Sequence, residues 1–133
     1  MIFVHLKKIF STSTQKRYWP WLRGYAAELL ASSYLLFCGY KIIAHRVKTP
    51  YGEIDLIAKK GSAYIFIEVK YRAHHHQGAY ALTHKQIRRI TQAATSYQRN
   101  IPPTAQIRFD VILINRYYQL KHHLNALSID HAH

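Results

Sequence analysis

A one-domain α/β protein, with one mixed sheet flanked by helices in the order α-β-β-β-α-β, is what the sequence predicts. Three observations carry that expectation. The chain has 133 residues, enough for one hydrophobic core and too few for two domains of ordinary size. Two segments place apolar residues at helical spacing, and they bracket a β-rich region punctuated by turn residues. The second helical segment stands between strands three and four, where it permits a crossover connection.

The elements follow in order. Tyr25, Leu29, Leu36 and Phe37 recur at helical spacing among the helix-favouring Ala26, Ala27 and Ala31, and Gly39 is placed to terminate. This predicts a helix over about 22–38. Three strands should follow at 40–47, 53–58 and 63–72, separated by Lys48-Thr49-Pro50-Tyr51-Gly52 and by Lys59-Lys60-Gly61-Ser62. After a polar loop at 73–82, Ile87, Ile90, Ala94 and Tyr97 fall on one helical face, with Lys85, Arg88, Arg89 and Gln92 on the others. That helix is expected over 83–99. Pro102 and Pro103 end it, a fourth strand follows at 106–115, and a weaker one at 119–126. The domain therefore spans 22–127, with a basic N-terminal arm at 1–21 and a tail at 128–133. Segment 1–23 holds no acid; its composition loosely resembles an organelle transit peptide, but a ragged basic arm on a cytoplasmic protein is the preferred reading.

Nineteen Lys and Arg against six Asp and Glu give a formal net charge of +13. So large an excess points to a polyanion as partner. Nucleic acid is favoured over a membrane surface, because the cations are spread over helix-like and strand-like segments alike. No stretch approaches the length of a membrane span, and His5, Lys7 and Lys8 interrupt the apolar start that a secretory signal needs. The single cysteine, Cys38, excludes an intrachain disulfide and a Cys-based zinc site, and reads as a buried small hydrophobe in a cytoplasmic protein. No Gly-rich phosphate loop, dinucleotide fingerprint or serine or cysteine triad motif is present.

The position of the acids is the most informative feature. Glu53, Asp55 and Glu68 fall within sixteen residues, on two adjacent predicted strands of an otherwise cationic chain. Carboxylates repel one another, so such clustering needs a cation or fixed positive groups to offset it. Strand alternation puts Glu53 and Asp55 on one face, with Ile54 and Leu56 on the other. Glu68 and Lys70 share a face with Tyr64 and Phe66, opposite Ile65, Ile67 and Val69. If the hairpin brings its charged faces together, Asp55 and Glu68 would hold a hard divalent ion, magnesium or manganese, that keeps several waters. Lys70 beside it would orient or help deprotonate an attacking water and offset phosphate charge.

Taken together, Gly24-Tyr25-x-x-Glu28, Gly52-Glu53-Ile54-Asp55-Leu56-Ile57, Phe66-Ile67-Glu68-Val69-Lys70-x-Arg72 and Arg108-Phe109-Asp110-Val111 resemble the PD-(D/E)XK nuclease superfamily. They resemble more closely still the YraN-type family of small bacterial proteins related to Holliday-junction resolvase-like folds. The resemblance covers roughly residues 24–115. It implies a restriction-endonuclease-like core with Asp55 as the metal-binding Asp, Glu68 as the Asp-or-Glu and Lys70 as the Lys. Glu28 matches the helix acid that supports the metal or its waters. Ile54 stands where the nominal pattern has Pro, a departure shared by many members. The activity implied is a metal-dependent endonuclease on DNA, with branched or structured DNA favoured by analogy. Resolvase-like nucleases often dimerise to cut two strands, so a homodimer is among the expected states.

Alternatives stand beside these readings. Glu-x-Lys on a strand is commonly a solvated, self-compensating pair, and Glu28, at the edge of the apolar face, is as readily a solvated helix acid. Glu53, earlier on its strand than Asp55, can pair with a Lys or Arg. Asp110, with Arg108 on the same strand face, reads as half of a structural ion pair. Arg72, Lys85, Arg88 and Arg89 are the expected phosphate contacts. His74-His75-His76 reads as a solvated loop, since adjacent residues do not readily face one ion; His122 and His123 carry no clear signal. The eleven tyrosines serve either the core or base stacking. Two other functions remain open: a non-catalytic nucleic-acid-binding protein that keeps the nuclease fold, and an assembly partner for an acidic protein.

Overall fold

The computed structural model describes residues 15–72 and 82–127, with side chains from Gly24 onward in the first segment. The histidine triplet, most of the arm and the tail lie outside the described residues. Helix α1 spans Gln15–Phe37 and is followed by strands β1 (Lys41–Thr49), β2 (Gly52–Lys60) and β3 (Ala63–Tyr71). Helix α2 (His84–Tyr97), a single 3₁₀ turn (Gln98–Asn100) and strands β4 (Gln106–Ile114) and β5 (Leu120–His123) complete the order. The expected architecture is present. The boundaries differ most at α1, which begins at Gln15, so residues 15–21 are helix where a basic arm was expected.

The α1 terminus shows why Gly39 ends the helix. Its φ of +86° is a left-handed conformation that a Cβ disfavours. That geometry turns the Gly39 and Tyr40 N–H groups back onto the carbonyls of Leu36 and Leu35, at 3.1 and 2.9 Å. At the start of α2, Thr83 and Gln86 form a reciprocal capping box: the Gln86 N–H donates to Thr83 Oγ1 and the Thr83 N–H to Gln86 Oε1.

One sheet runs in the order β1-β2-β3-β4-β5. The first three strands are an antiparallel meander, β3 and β4 pair in parallel through the α2 crossover, and β5 returns antiparallel to β4. Each helix covers a different core. Ala27, Ala31 and Leu35 of α1 pack with Leu56, Ala58, Ile65, Ile67, Ile112 and Ile114. Ala93 and Ala94 of α2 pack with Ile54, Ile57 and Phe66. Alternation along β3, with Ile65 and Ile67 toward α1 and Phe66 toward α2, therefore appears as the sequence predicts. Cys38 is only partly buried, at the margin of the α1 core.

Strand β2 departs from the predicted alternation. Leu56 belongs to the α1 core and Ile54 to the α2 core, so the two do not share a face. The cause lies in the neighbouring strand. Val47 pairs with Ile54 and His45 with Leu56, and between them Arg46 adopts φ +46°. A left-handed residue in a strand breaks the pleat; Val47 and Ile54 both turn toward α2 on either side of Arg46 and Asp55, and a separate register shift in β1 lies between Ile42 and Ala44.

Candidate active site at the parting of β2 and β3

The paired positions of β2 and β3 run from Lys60 and Ala63 to Leu56 and Ile67, and stop there. The next residues are Asp55 and Glu68. In place of a backbone partner, the Val69 N–H donates to Asp55 Oδ2 at 2.8 Å. The strands thus part at the two acids that the sequence singled out, and the Asp55 side chain fills the gap. Asp55 is partly buried. Burial, reinforced by the Glu68 carboxylate, pushes its pKa up to about 7, against the opposing pull of the Val69 hydrogen bond and Lys70. The Glu28 charge reaches it as well and pushes the same way. Asp55 forms no ion pair among the described residues.

The other acids are neutralised by named cations. Glu68 is 6% exposed, and its Oε1 receives both Lys70 Nζ at 2.9 Å and Arg89 NH2 at 2.7 Å. Glu28, on α1, accepts from Arg46 Nε at 2.7 Å, an interaction that keeps the guanidinium pKa above its ordinary value. Glu53 is exposed; its side chain makes no ion pair among the described residues, and its carbonyl meets Arg89 NH1 at 3.4 Å.

Arg89 reaches Glu68 by crossing the start of β2, and Gly52 makes the crossing possible. A Cβ on Gly52 would stand 3.1 Å from Arg89 Cδ and 3.2 Å from Cγ, and its φ of +132° is itself unfavourable for an L side chain. The glycine that opens the Gly52-Glu53-Ile54-Asp55 motif is thus explained by a side chain from α2. Of the four expected phosphate contacts, Arg89 is directed inward. Lys85 and Arg88 are exposed on the first turns of α2, and Arg72 is exposed just after β3, where its backbone N–H donates to the Ile114 carbonyl at 2.8 Å.

Across the sheet, Asp110 is a structural anchor, as its pairing with Arg108 predicted. Its carboxylate accepts from Arg108 Nε and NH2 at 2.9 and 2.8 Å, from the Asn125 N–H at 3.0 Å, and meets His122 Nε2 at 2.7 Å. Burial alone would raise its pKa, but the hydrogen bonds from His122 and Arg108 outweigh burial and hold it below the usual carboxylate value. Tyr34 of α1 closes the network on His122 Nδ1 at 3.1 Å. Sequence reasoning missed His122 because its partner lies across the β4–β5 hairpin; the weak strand at 119–126 was the available signal.

Among the described residues, no three His, Cys, Asp or Glu side chains form a group that could hold a metal ion. Asp55 and Glu68 remain as a two-carboxylate donor set of hard oxygens. Its chemistry fits magnesium, which needs few protein ligands, and an acid whose pKa is raised by burial and like charge is one that a cation would ionise. Fitting the ion requires Glu68 to exchange at least part of its contact with Arg89 and Lys70.

The model of the uncharacterised protein family UPF0102 matches residues 27–114. The chain belongs to the UPF0102 family. The match runs from α1 through the end of β4 and so contains Glu28, Asp55, Glu68 and Lys70. A UPF0102 protein of Rhodopseudomonas palustris (strain BisA53) is 47% identical over 93 residues, covering 68% of this chain and 72% of its own. UPF0102 proteins of Nitrobacter winogradskyi and of Bradyrhizobium sp. (strain ORS 278) are each 42% identical, over 107 and 105 residues. The first alignment covers 79% of this chain and 91% of the relative; the second covers 77% and 74%. Among the described residues, no helix of this UPF0102 chain is long and apolar enough to cross a membrane.

Proposed function

We propose that this chain is a metal-dependent endonuclease of the PD-(D/E)XK type, hydrolysing phosphodiester bonds in nucleic acid, with DNA, and branched or structured DNA in particular, as the favoured substrate. The observation that carries the reading is the parting of β2 and β3 at Asp55 and Glu68, with Lys70 2.9 Å from Glu68 in a chain of net charge +13. Asp55 and Glu68 would hold the metal, with Glu28 near enough to act on Asp55 through its charge. A bound magnesium or manganese ion supplies Lewis acidity toward the phosphate and its attacking water. Lys70 places an ammonium beside the scissile phosphate and offsets its charge as water attacks phosphorus and the P–O bond breaks. Exposed Lys85, Arg88 and Arg72 grip the backbone on either side. A homodimer would let two such sites cut two strands.

A second reading is favoured by one feature. Arg89 and Lys70 already neutralise Glu68, which suits a nucleic-acid-binding protein that retains the fold without cleaving. Cleavage of labelled single-stranded, duplex, flapped and four-way-junction DNA, with magnesium, manganese or EDTA, separates the two. Metal-dependent cutting abolished by both Asp55→Ala and Lys70→Ala supports the nuclease. Salt-sensitive binding with no cutting, and no weakening in Asp55→Ala, leaves the binding protein.

A further inference from the structure

We propose that the cavity between α1 and β1 is a subsite for an unpaired nucleobase of the nucleic acid held at Asp55 and Glu68; it rests on the nucleic-acid reading above. The cavity is about 300 Å³ and is lined by Tyr25, Glu28, Leu29, Ser32, His45 and Arg46, at the lower end of the range for small-molecule sites.

Two observations mark it as more than a surface dent. Ser32 is 7% exposed, and its Oγ has no hydrogen-bond partner among the described residues. Its neighbour Ser33 takes the usual helical solution and donates to the Leu29 carbonyl at 2.9 Å, so the Ser32 hydroxyl is left for something in the cavity at a cost in stability. Arg46, in the opposite wall, holds φ +46°. Such strain in a non-glycine residue persists only where its surroundings enforce it, and it collects at ligand sites. The Arg46 side chain is in turn held by Glu28 at 2.7 Å and by the Tyr25 ring, whose centroid lies 5.6 Å from the guanidinium carbon.

The lining selects the ligand. A carboxylate in the wall opposes a phosphate, whereas Glu28 as acceptor, Arg46 as donor, and Ser32 and His45 as either match the mixed donor and acceptor edge of a base. Tyr25 is 51% exposed at the rim, placed as a stacking surface for the ring. A paired base has its edge already engaged, so the occupant is unpaired. Location ties the cavity to the candidate active site. Arg46 lies between His45 and Val47, whose partners Leu56 and Ile54 flank Asp55, and neighbouring strands stand about 5 Å apart. A nucleotide that passes the Asp55 gap to the α1 side has its base within reach of the cavity, whereas Glu68, held by Arg89 of α2, faces the other side.

The test uses the full chain and fluorescence anisotropy in EDTA. One labelled duplex carries a single bulged adenine, and a second carries an abasic residue at the same place. Wild type should prefer the bulged base by about tenfold. Tyr25→Ala and Ser32→Ala should erase that preference while leaving affinity for the abasic duplex unchanged, and Tyr25→Phe should keep it. Ser32→Ala should also retain or raise the urea midpoint, because it removes a buried hydroxyl without a partner. Equal binding of both duplexes by wild type, an equal loss on both in the variants, or a lowered midpoint in Ser32→Ala overturns the subsite. Failure of wild type to bind either duplex overturns the nucleic-acid reading along with it.

Discussion

Replacing Asp55 with Asn should stabilise the chain in alkaline solution and do progressively less as the pH falls, a pattern that follows from one partly buried carboxyl. The folded protein keeps the Asp55 proton up to about pH 7, whereas an unfolded chain releases it near pH 4. Between those values the folded state binds more protons, so stability falls as pH rises, and the loss is complete above the folded pKa. The span from about pH 4 to about pH 7 corresponds to about 4 kcal/mol as an upper bound, reduced by residual solvent screening. Asn has no such titration and still offers an oxygen to the Val69 N–H, though a neutral acceptor forgoes about 1 kcal/mol relative to a charged one. The net gain at about pH 8.5 should then be about 1–3 kcal/mol. It should exceed the gain at about pH 5 by about 2 kcal/mol. Urea unfolding of wild type and variant across this range reads both quantities. An Asn variant less stable at alkaline pH, or a difference that does not change with pH, would refute the account of Asp55 as an acid held at an energetic cost.

Further outcomes follow from the same geometry. Millimolar magnesium should raise the wild-type urea midpoint at alkaline pH and leave Asp55→Asn unmoved; equal shifts in both would place the ion elsewhere. Gly52→Ala should cost about 1–3 kcal/mol, because it combines an unfavourable φ with a Cβ pressed against Arg89. Gly24→Ala, in α1 with nothing among the described residues within 4 Å of the added Cβ, should stabilise by about 0.5–1 kcal/mol; urea denaturation of the pair separates them. Asp110→Ala should destabilise by about 3–5 kcal/mol at neutral pH, since it strands Arg108 and His122 at a buried site. Asp110 has a depressed folded pKa, so its contribution is present above the unfolded value near pH 4 and is lost as the pH falls through the folded pKa. The Asp110→Ala deficit should therefore shrink in acid, read by melts at neutral and acidic pH, the reverse of the trend at Asp55.

Much of the fold was legible because its signals are local. Helical spacing from Tyr25 to Phe37 and a glycine at 39 mark α1 and its end, and the shared face of Ile87, Ile90, Ala94 and Tyr97 marks α2. The alternation along Ile65 to Lys70 assigns the faces of β3, and Arg108 two residues before Asp110 is enough to foresee their ion pair. The acids at 53, 55 and 68 stand out against the basic chain, so the position of the candidate site could be read as well. Periods of 3.6 and 2 residues determine these features over short distances.

What only the tertiary structure decided are relationships between residues far apart in the chain. Ile54 and Leu56 turn to opposite cores because Arg46, in another strand, breaks the pleat beside Asp55. Arg89 leaves the outward face of α2 to neutralise Glu68, 21 residues away, and Gly52 makes room for it. His122 meets Asp110 only once β5 lies against β4. The physical reason is the same in each case. Periodicity states which way a side chain points from its own backbone, whereas a buried charge settles on whichever partner packing brings within reach, and that depends on strand register and on the space left by a missing Cβ.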